Sequence, residues 1–404
     1  MRVAIIGGGA AGFFSALSVM QHHPNAEVVI FEKSQKVLAK VKISGGGRCN
    51  VTNACASIKA FSKAYPRGQK IMNRSLKIFD NFQLISWFES RKVPLVIQED
   101  NCVFPASQNS QSIIDCFVNE AKKWSVDIQT NMGVRSVEAV NSGIQVQFLD
   151  EVTPPKVYDS VIIATGGSPR RKGLLWLERA GHKIVDPVPS LFTFNMPNEP
   201  ITSLMGIVIE NAIVCIQGTS YTSTGPLLIT HWGMSGPAVL KLSAVAARSL
   251  SETEYNFIIQ VNWVNIKNHS GIQEAMNEIT LQHPNKQLQN IKPFALPERL
   301  WLYLLDKVQL PKEKKWNELG KKGMNKLTAI LSNDTYSVRG KTTFKEEFVT
   351  CGGVSLDSID TRTMQSRVVP GLYFAGEVLD IDGITGGYNF QAAWTTGYIA
   401  GMLK

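Results

Sequence analysis

The sequence has no pair of cysteines in Cys-x-x-Cys spacing, although it contains six cysteines. They stand singly, at positions 49, 55, 102, 116, 215 and 351, and the six histidines are scattered as well. Without paired cysteines the chain cannot carry a Cys-x-x-Cys dithiol redox centre. Without a Cys/His cluster we expect no metal site. Unpaired cysteines are typical of a reducing compartment, so we expect a cytoplasmic protein.

Long apolar runs are also missing, because no segment has 18 uninterrupted apolar residues. We therefore expect no membrane span. Residues 1–19 lack the small-residue cleavage site of a signal peptide, so we expect none. The 404 residues, 44% hydrophobic and 19% charged, suit a soluble globular protein of two or three domains.

Acidic residues are absent from one long stretch, residues 33–79, which carries eleven Lys or Arg in a chain of net charge +9. Residues 307–345 carry ten basic residues against Glu313, Glu318 and Asp334. Such stretches either surround a phosphate-bearing cofactor and form solvated surface, or attract a polyanionic substrate such as RNA. The basic faces 59–77 and 307–345 are our candidates for RNA contact.

A glycine motif stands near the N-terminus. Gly7-x-Gly9-x-x-Gly12 separates an apolar strand at residues 2–6 from a helical pattern at 13–20. In such a unit the first glycine permits the tight turn and the second admits a diphosphate. The third lets helix and strand pack closely. The motif therefore predicts a dinucleotide cofactor at this turn.

An acidic residue follows at the spacing that the motif requires. A second strand, residues 27–31, ends at Glu32, which can accept hydrogen bonds from a ribose hydroxyl. A carboxylate at this position disfavours a 2′-phosphate, and hence NADP. The helix N-terminus, which includes Ala10 and Ala11, would stabilise the diphosphate.

Two further glycine-rich segments separate FAD from NAD. Residues 44–53 form a polar loop with three consecutive glycines, and Lys40, Lys42 and Arg48 lie close by for phosphate. Residues 371–391 run from a buried strand into Gly386-Gly387 and a closing helix. A glycine pair at a helix start can direct backbone N–H groups at the flavin ring. We therefore predict one discontinuous FAD site.

Several strings resemble known flavoproteins. Those similar to the two-dinucleotide-binding-domain flavoproteins are GGGAAG at 7–12, ATGG at 164–167 and GLYFAGE at 371–377. Those that resemble, more specifically, the BaiN/YhiN-like flavoproteins are SGGGRCNVTN at 44–53, THWGMSGPA at 230–238 and GEVLDIDGITGGYNFQAAW at 376–394. The resemblance covers essentially the whole chain. Members of that family have been linked to bile-acid intermediates, to aminoacetone oxidation and to reduction of uridine in ribosomal RNA.

The resemblance implies an α/β fold: a Rossmann-like FAD-binding domain, discontinuous in sequence, with an inserted β-barrel-like domain and a helical subdomain. We place the FAD-binding domain at 1–188 and 342–404, the β-rich insertion at 189–268 and the helical subdomain at 269–341. The predicted cofactor contacts are Gly7, Gly9, Ala10, Ala11, Gly12, Glu32, Lys33, Lys40, Ser44, Arg48, Cys49, Asn50, Val134, Thr165, Gly166, Gly376, Glu377, Asp382, Gly386, Gly387, Tyr388 and Asn389. Val134 is expected to contact the adenine through its backbone.

Two side chains are candidates for catalysis. His231 has a reference pKa suited to proton donation, or else it is a structural residue ahead of a helix with Ser235 as cap. Cys49 stands beside Arg48, which we expect to lower its pKa, or else it packs in the core. Asp382 binds the ribityl chain or caps the turn, and Tyr388 and Asn389 are expected to bracket the flavin ring.

The predicted function is FAD-dependent reduction of an unsaturated substrate by NAD(P)H, with uridine in ribosomal RNA as the specific candidate. A small-molecule reductase and an amine oxidase of the aminoacetone type are alternatives. A third alternative is an FAD-stabilised RNA-binding or assembly factor without turnover. Only one complete GxGxxG is present, so we expect NAD(P)H to bind transiently. The sequence does not predict an oligomeric state.

Overall fold

The computed structural model describes residues 1–342 and 349–404. The described residues form two units, one of residues 1–190 with 349–404 and one of residues 191–342. The expected face 307–345 ends at Lys345, which lies outside the described residues. None of the helices in the described ranges is long and apolar enough to cross a membrane.

The helices and strands are numbered along the chain. Residues 1–190 contain β1 (Arg2–Ile6), α1 (Ala10–His22), β2 (Glu27–Phe31), α2 (Ala39–Gly47), β3 (Thr52–Asn53), α3 (Ile58–Ser62), α4 (Gln69–Ser75), α5 (Asn81–Glu89), β4 (Leu95–Ile97), β5 (Cys102–Pro105), α6 (Gln111–Lys123), β6 (Asp127–Gln129), β7 (Val134–Val140), β8 (Gly143–Phe148), β9 (Lys156–Tyr158), β10 (Ser160–Ile163), α7 (Leu175–Arg179) and β11 (Ile184–Ser190). Residues 191–342 contain β12 (Thr193–Asn195), β13 (Val208–Ile216), β14 (Thr222–Thr230), β15 (Gly233–Ser235), α8 (Pro237–Val245), α9 (Ala247–Glu252), β16 (Asn256–Asn262), α10 (His269–Gln282), α11 (Glu298–Lys307), α12 (Gly320–Ser332), β17 (Asp334–Arg339) and β18 (Lys341–Thr342). Residues 349–404 contain β19 (Val349–Val354), β20 (Ile359–Asp360), β21 (Gln365–Ser366), β22 (Leu372–Phe374) and α13 (Tyr388–Gly401).

The first unit is organised around a sheet of order β20-β21-β22-β10-β1-β2-β6. The five strands from β22 to β6 are parallel, and Ile5 pairs with Ile30 on one side and with Ile162 on the other. Strands β1, β2, β10 and β22 are almost wholly apolar because a parallel sheet is covered on both faces, whereas the edge strand β6 is mostly polar. The chain reverses direction across the sheet at β1, which makes the carboxyl ends of β1 and β10 a topological switch point, where ligands bind in open α/β sheets.

Helix α1 lies along α13, so the two ends of the described chain pack together. Glycines allow the close approach: a Cβ at Gly397 would lie 2.8 Å from the Ala11 carbonyl oxygen, and one at Gly401 would lie 2.6 Å from that of Ser15. Larger residues would force the helices apart, because these neighbours are backbone atoms.

The second unit has a seven-stranded sheet of order β17-β16-β13-β14-β15-β12-β18. Its two edge strands, β17 and β18, are consecutive in the chain and are joined only by Gly340. A one-residue connection between opposite edges requires the sheet to curve round on itself, which gives the barrel-like shape. The β-rich and helical segments that we expected as separate parts share one hydrophobic core, in which Trp263 of the sheet region and Trp301 of α11 are both buried.

Candidate functional site

Many of the predicted cofactor residues lie at one edge of the parallel sheet. Because β1, β2, β10 and β22 run in the same direction, their carboxyl ends meet at that edge. The residues that follow these ends are Gly7 after β1, Glu32 after β2, Thr165 and Gly166 after β10, and Gly376 and Glu377 after β22. The topology therefore gathers residues from both ends of the chain around the switch point.

The β1–α1 turn gives each motif glycine a different environment. Gly7 has φ +115°, and a Cβ there would overlap the Ala164 carbonyl oxygen. A Cβ at Gly12 would overlap the Gly7 carbonyl oxygen, so Gly12 lets α1 approach β1. At Gly9, by contrast, no atom of the described residues lies within 4 Å of a Cβ, apart from its own chain neighbours. Gly9 thus borders open space at the start of α1.

The start of α1 is suited to an anion. Gly9 is the N-cap residue and provides no side-chain cap. The first N–H groups of a helix, here at Ala10 and Ala11, have no carbonyl partner within the helix. They point towards the helix N-terminus together with the positive end of its dipole. A diphosphate at Gly9 would satisfy them.

Glu32 is held in place by the turns around it. Its Oε2 accepts the Gly8 N–H at 2.8 Å, and its Oε1 accepts the Ser34 N–H and hydroxyl, each at 2.8 Å. The Met132 N–H donates to the Glu32 carbonyl at 2.8 Å, which brings Val134, at the start of β7, to the same corner. Lys33 is exposed beside it.

The glycine loop differs from the simple loop that we expected, because α2 extends to Gly47. Ser44, Gly45 and Gly46 have non-helical backbone angles, and Gly45, Gly46 and Gly47 have φ of +57°, +67° and +84°. Beyond the neighbouring residues, open space surrounds Gly46 and Gly47. From Gly47 to Cys49 the backbone alternates between left-handed, right-handed and left-handed, and such alternation turns successive N–H groups inward to form an anion-binding concavity. The Ser44 hydroxyl donates to the Val41 carbonyl at 2.9 Å.

The expectation that Arg48 activates Cys49 is wrong. Cys49 is fully buried, and burial raises the pKa of its thiol from 9.0 to about 12, against a smaller lowering by a hydrogen bond with Ser44. The Arg48 guanidinium instead lies over the Phe104 ring, 4.2 Å from its centroid. A side chain that contacts a bound cofactor is exposed when the cofactor is absent, so the Cys49 thiol faces the core and packs there.

The start of α13 meets the loop at residues 44–53. Gly387 has φ +86° and is the N-cap of α13, and a Cβ there would overlap the Thr52 backbone. With its amide nitrogen directed at the Thr52 carbonyl, the Asn50 side chain accepts the Gly387 N–H at 3.2 Å. Gly386 precedes it with φ +122°. The two glycine-rich segments that we predicted to share a cofactor are therefore in contact.

Tyr388 and Asn389 are held by local contacts. The Asn389 amide donates to the Gly383 carbonyl at 2.9 Å and accepts the Gly383 N–H at 2.8 Å. The Asn389 side chain therefore fixes the loop ahead of α13. Its contacts do not support the expectation that it brackets the flavin ring. Tyr388 packs edge-on against Phe61, and burial raises the pKa of its phenol to about 12. The Tyr65 hydroxyl donates to the Tyr388 carbonyl at 2.7 Å.

Lys40 and Glu377 pair with each other. The Lys40 ammonium donates to Glu377 Oε2 at 2.9 Å, and the other Glu377 oxygen accepts the Thr350 N–H at 2.7 Å. The Lys42 ammonium donates to the Gln111 amide oxygen at 2.8 Å. These lysines fasten α2 to its neighbours, whereas the sequence suggested free cations for a phosphate.

Asp382 is a buried ion-pair partner, which corrects its predicted contact with the ribityl chain. Its carboxylate, which has no exposed surface, accepts two hydrogen bonds from the Arg67 guanidinium and one from the Ser190 hydroxyl, the last at 2.9 Å. Burial lowers the pKa of Arg67, but the hydrogen bonds and charge of Asp382 outweigh burial and raise it overall. Sequence reasoning missed Arg67, because its partner is 315 residues away.

His231 lies in the second unit, on the tight turn between β14 and β15. Its ring is exposed and contacts the Trp232 ring, with centroids 4.1 Å apart. The helix that follows, α8, has Gly236 as N-cap and Pro237 in its first turn, so the expectation of Ser235 as the cap is wrong. An exposed imidazole can exchange protons with a substrate, and the proposed role of His231 stays a prediction.

The residues present fit a dinucleotide that carries a flat ring system. Gly9 and Gly166 border open space within the first unit, since a Cβ at either would have no described atom within 4 Å beyond its chain neighbours. The same unit supplies a helix N-terminus for phosphate and a fixed carboxylate at Glu32 for a ribose. Fold and site together define a Rossmann-type flavoprotein.

Comparison with known proteins agrees with this class. The family described as HI0933-like protein Rossmann domain matches residues 1–403. The chain belongs to this family and is an FAD-dependent oxidoreductase.

Two curated relatives cover almost the whole chain. The ribosomal RNA dihydrouridine synthase of Escherichia coli is 30% identical over 98% of this chain and 95% of its own length. The 3-dehydro-bile acid delta(4,6)-reductase of Clostridium scindens is 26% identical over 99% of this chain and 98% of its own. Among solved structures, 3-ketosteroid delta1-dehydrogenase from Sterolibacterium denitrificans has a TM-score of 0.52 at 11% identity. It covers 99% of this chain and 98% of its own, which shows a shared fold.

Proposed function

We propose that this protein takes hydride from NAD(P)H and reduces the carbon–carbon double bond of a uridine in ribosomal RNA. The observation that carries the proposal is a basic surface on α3 and α4, in the same unit as the predicted FAD site. The 30% identity to a ribosomal RNA dihydrouridine synthase over 98% of the chain supports the same substrate class. Flavin supplies the hydride chemistry when bound, and the chain's own residues bind and orient the reactants.

We propose that the cofactor spans the turns at the sheet edge. The N–H groups of Ala10 and Ala11 bind the diphosphate at Gly9, and Glu32 accepts hydrogen bonds from the adenosine ribose. The Val134 backbone lies at the same corner for the adenine. The flavin end lies along residues 44–50, whose left-handed glycines admit a flat ring.

The N-terminus of α13 is the proposed electrostatic partner of the flavin ring. Gly386 and Gly387 remove side chains from the approach, and the helix dipole places partial positive charge there. Backbone N–H groups at this position would donate to the carbonyl edge of the ring. Asn50 and Asn389 hold this turn in place, so their proposed role is positioning.

The test is mass spectrometry of ribosomal RNA from cells with and without this protein. We expect one dihydrouridine to disappear when the gene is deleted and to return with the wild-type gene. The variant Gly9→Ala, which we expect to bind FAD more weakly, should restore it only in part. Unchanged ribosomal RNA would overturn the uridine proposal.

The reductant is tested separately with the purified yellow protein. NADPH or NADH should bleach the visible flavin absorbance without air. Absence of bleaching with both nicotinamides would overturn the reductase proposal and favour an assembly factor that retains FAD for stability. Hydrogen peroxide release on addition of small amines such as aminoacetone would favour an amine oxidase instead.

A small-molecule reductase is the second candidate, and the relative that acts on a 3-dehydro-bile acid favours it. That relationship is 26% identity over 99% of the chain, so it is nearly as extensive as the relationship to the RNA enzyme. Turnover of an α,β-unsaturated ketosteroid by the NADPH-reduced protein, with ribosomal RNA unchanged by gene deletion, would select this candidate.

A further inference from the structure

Five cations on the first unit are exposed and make no ion pair within the described ranges. These residues, which we call the α3–α4 stripe, are Lys59, Lys63, Lys70, Arg74 and Lys77. The nearest acidic residue along the chain is Asp80, and its carboxylate caps α5 by accepting the Gln83 N–H. The stripe is therefore a concentration of uncompensated positive charge.

Helical spacing aligns these charges. Lys59 of α3 and its C-cap residue Lys63 are four residues apart, as are Lys70 and Arg74 of α4, and Lys77 follows Arg74 by three residues in the turn after α4. Side chains at these intervals share one helix face, and consecutive turns are ~6 Å apart. Like charges so placed destabilise a helix by roughly 0.2–0.5 kcal/mol per pair, and a bound polyanion would remove that cost.

The two helices hold the two rows of charge together. The Asn73 amide of α4 donates to the Ser62 hydroxyl of α3 at 3.1 Å. Phe82, at the start of α5 and five residues after Lys77 in the chain, is exposed by 44%. Unpaired RNA bases stack on exposed aromatic rings of this kind, so cations and ring together suit a folded RNA with unpaired bases.

The second basic face, of which residues 307–342 are described, contains cations that are paired or held by local contacts. Lys307 pairs with Asp334, and Lys312 pairs with Asp306. Lys326 donates to the Val308 carbonyl, and Lys341 lies 4.5 Å from the Tyr255 ring centroid. Two of the nine cations of this face are neutralised by carboxylates and two more are held by local contacts, while Lys314, Lys315, Lys321, Lys322 and Arg339 make no ion pair within the described ranges. We prefer the α3–α4 stripe as the phosphate attractor because none of its cations is paired and because it lies in the unit of the predicted FAD site.

Residues 65–68, which connect α3 to α4, contact the predicted flavin end of the site. Arg67, between α3 and α4, pairs with Asp382 through both its side chain and its backbone. Gly68 lies so close to Ile381 that a Cβ would be 2.8 Å from its side chain. With the Tyr65–Tyr388 hydrogen bond, these contacts join the stripe to residues 381–388.

We infer that the α3–α4 stripe binds the phosphate backbone of the RNA whose base enters the FAD site. This inference rests on the proposed function and assigns the surface that recognises its substrate. The cations neutralise backbone phosphates and set the position of the RNA, while the site selects the base. Arg67 is excluded from phosphate binding by its ion pair and acts as the link between stripe and site.

The experiment compares two triple variants of the FAD-loaded protein. Lys70→Gln/Arg74→Gln/Lys77→Gln removes three charges from the stripe, and Lys314→Gln/Lys321→Gln/Lys322→Gln removes three from the other face. Binding to protein-free ribosomal RNA is measured by fluorescence anisotropy between 50 and 200 mM salt, conditions over which phosphate contacts weaken steeply. Flavin content and melting temperature check that both variants fold.

We expect the stripe variant to lose about 2–3 units of the slope of log affinity against log salt, because each phosphate contact contributes roughly 0.7–0.9. At 0.1 M salt each lost contact should weaken binding by roughly fivefold to eightfold. The control variant should keep the wild-type slope. Equal losses in both variants, or an unchanged slope in the stripe variant, would overturn the assignment.

Two further outcomes separate this inference from the proposed function. Stripe-dependent RNA binding in a protein whose deletion leaves ribosomal RNA unchanged would support the surface and overturn only the uridine proposal. Stripe-dependent binding to phosphatidylglycerol vesicles that exceeds binding to RNA would overturn the RNA assignment and identify an anionic lipid surface.

Discussion

A methyl group at Gly9 and a methyl group at Gly12 should have different effects, although the two residues share one turn. A Cβ at Gly12 would overlap the Gly7 carbonyl, so Gly12→Ala should destabilise the fold by about 1–3 kcal/mol or more. Gly9→Ala meets open space and keeps an ordinary φ of −93°, so stability without flavin should change by less than about 1 kcal/mol.

We expect Gly9→Ala to weaken the binding of FAD. Its methyl group enters the space reserved for the diphosphate, and we expect FAD affinity to fall by about tenfold or more, which is ~1.4 kcal/mol. Urea unfolding of the flavin-free protein and titration with FAD measure the two effects. A Gly9→Ala variant with normal FAD affinity would contradict the proposed diphosphate position.

The Cys49 thiol should be inert at neutral and mildly alkaline pH. Its pKa is raised from 9.0 to about 12 in the folded protein, so the neutral form is favoured until high pH. Iodoacetamide at pH 8, followed by peptide mass spectrometry, should leave Cys49 unmodified and label the partly exposed Cys55. In guanidinium chloride all six cysteines should react.

The same pKa shift gives a direction for stability. The stabilising contribution of the Cys49 thiol is complete below pH 9, where the unfolded thiol is also protonated, and is lost as pH rises towards 12. Labelling of Cys49 in the native protein at pH 8 would contradict its burial.

At the scale of single residues, spacing predicted the backbone roles of the motif glycines and the place of Glu32. It did not predict that Cys49 is buried or that Asn389 binds Gly383. The conformation of the motif glycines is determined by neighbouring residues in the chain, so a sequence motif can predict it. The burial of Cys49 depends on chain brought in from elsewhere, because Cys49 belongs to one buried cluster with residues as distant in sequence as Trp394, and a single sequence does not reveal that packing.

Among the contacts between elements, the Arg67–Asp382 ion pair is the one most sensitive to substitution. Side-chain exposure is 14% for Arg67 and zero for Asp382. Removing one member of a buried pair typically costs about 3–5 kcal/mol because the other charge is left without compensation. We expect Asp382→Asn to lower the free energy of unfolding by that amount, measured with urea.

The matched control is the double variant Arg67→Met/Asp382→Leu, which removes both charges. Apolar replacement of a whole buried pair is often close to neutral, so the double variant should be more stable than Asp382→Asn. A double variant that is less stable than Asp382→Asn would contradict this expectation. It would show that the attraction between Arg67 and Asp382 exceeds the cost of burying their charges.

Element boundaries show what the sequence could and could not provide. Residues 69–90 have apolar residues at helical spacing, a pattern that predicts helix throughout, but the structure has two helices, α4 and α5, separated by residues 76–80. Asp80 and Gln83 form a capping box, a signal that was present in the sequence and could have divided the segment. The left-handed end of α2 had no such signal beyond its glycines.

On the scale of the whole molecule, the proposed FAD site takes residues from segments far apart in the chain, and this leads to a prediction for hydrogen exchange. FAD at 100 times its Kd stabilises the fold by about 2.7 kcal/mol through mass action. We expect slower amide exchange on FAD addition at residues 7–12, 44–50 and 386–389 together. The hairpin tip at 141–142 serves as the control and should not change.

Removal of the flavin provides the reverse measurement on the same peptides. Protection lost at only one of the three segments would contradict a shared cofactor. Protection lost at all three, and regained with FAD, would support it.

The α/β class and a β-rich insertion could be predicted because β-α-β spacing and alternation are local patterns, whereas the barrel-like shape of the insertion was expected only from the family resemblance. The strand order β6-β2-β1-β10-β22 could only be expected from the family resemblance, since strands that pair there are up to about 210 residues apart. The single core shared by the sheet and helices of residues 191–342 was not predicted either. The sequence pattern of each segment suggested a separate part of the fold.

The packing of α1 along α13 has a consequence for synthesis on the ribosome. At ~5–20 residues per second, translation of the chain between these helices takes on the order of 20–80 s. During that interval the face of α1 that packs against α13 has no permanent cover, so we expect the nascent chain to bind chaperones. Residues 191–342 can fold while the ribosome is still working, but the flavin pocket closes only after α13 has emerged.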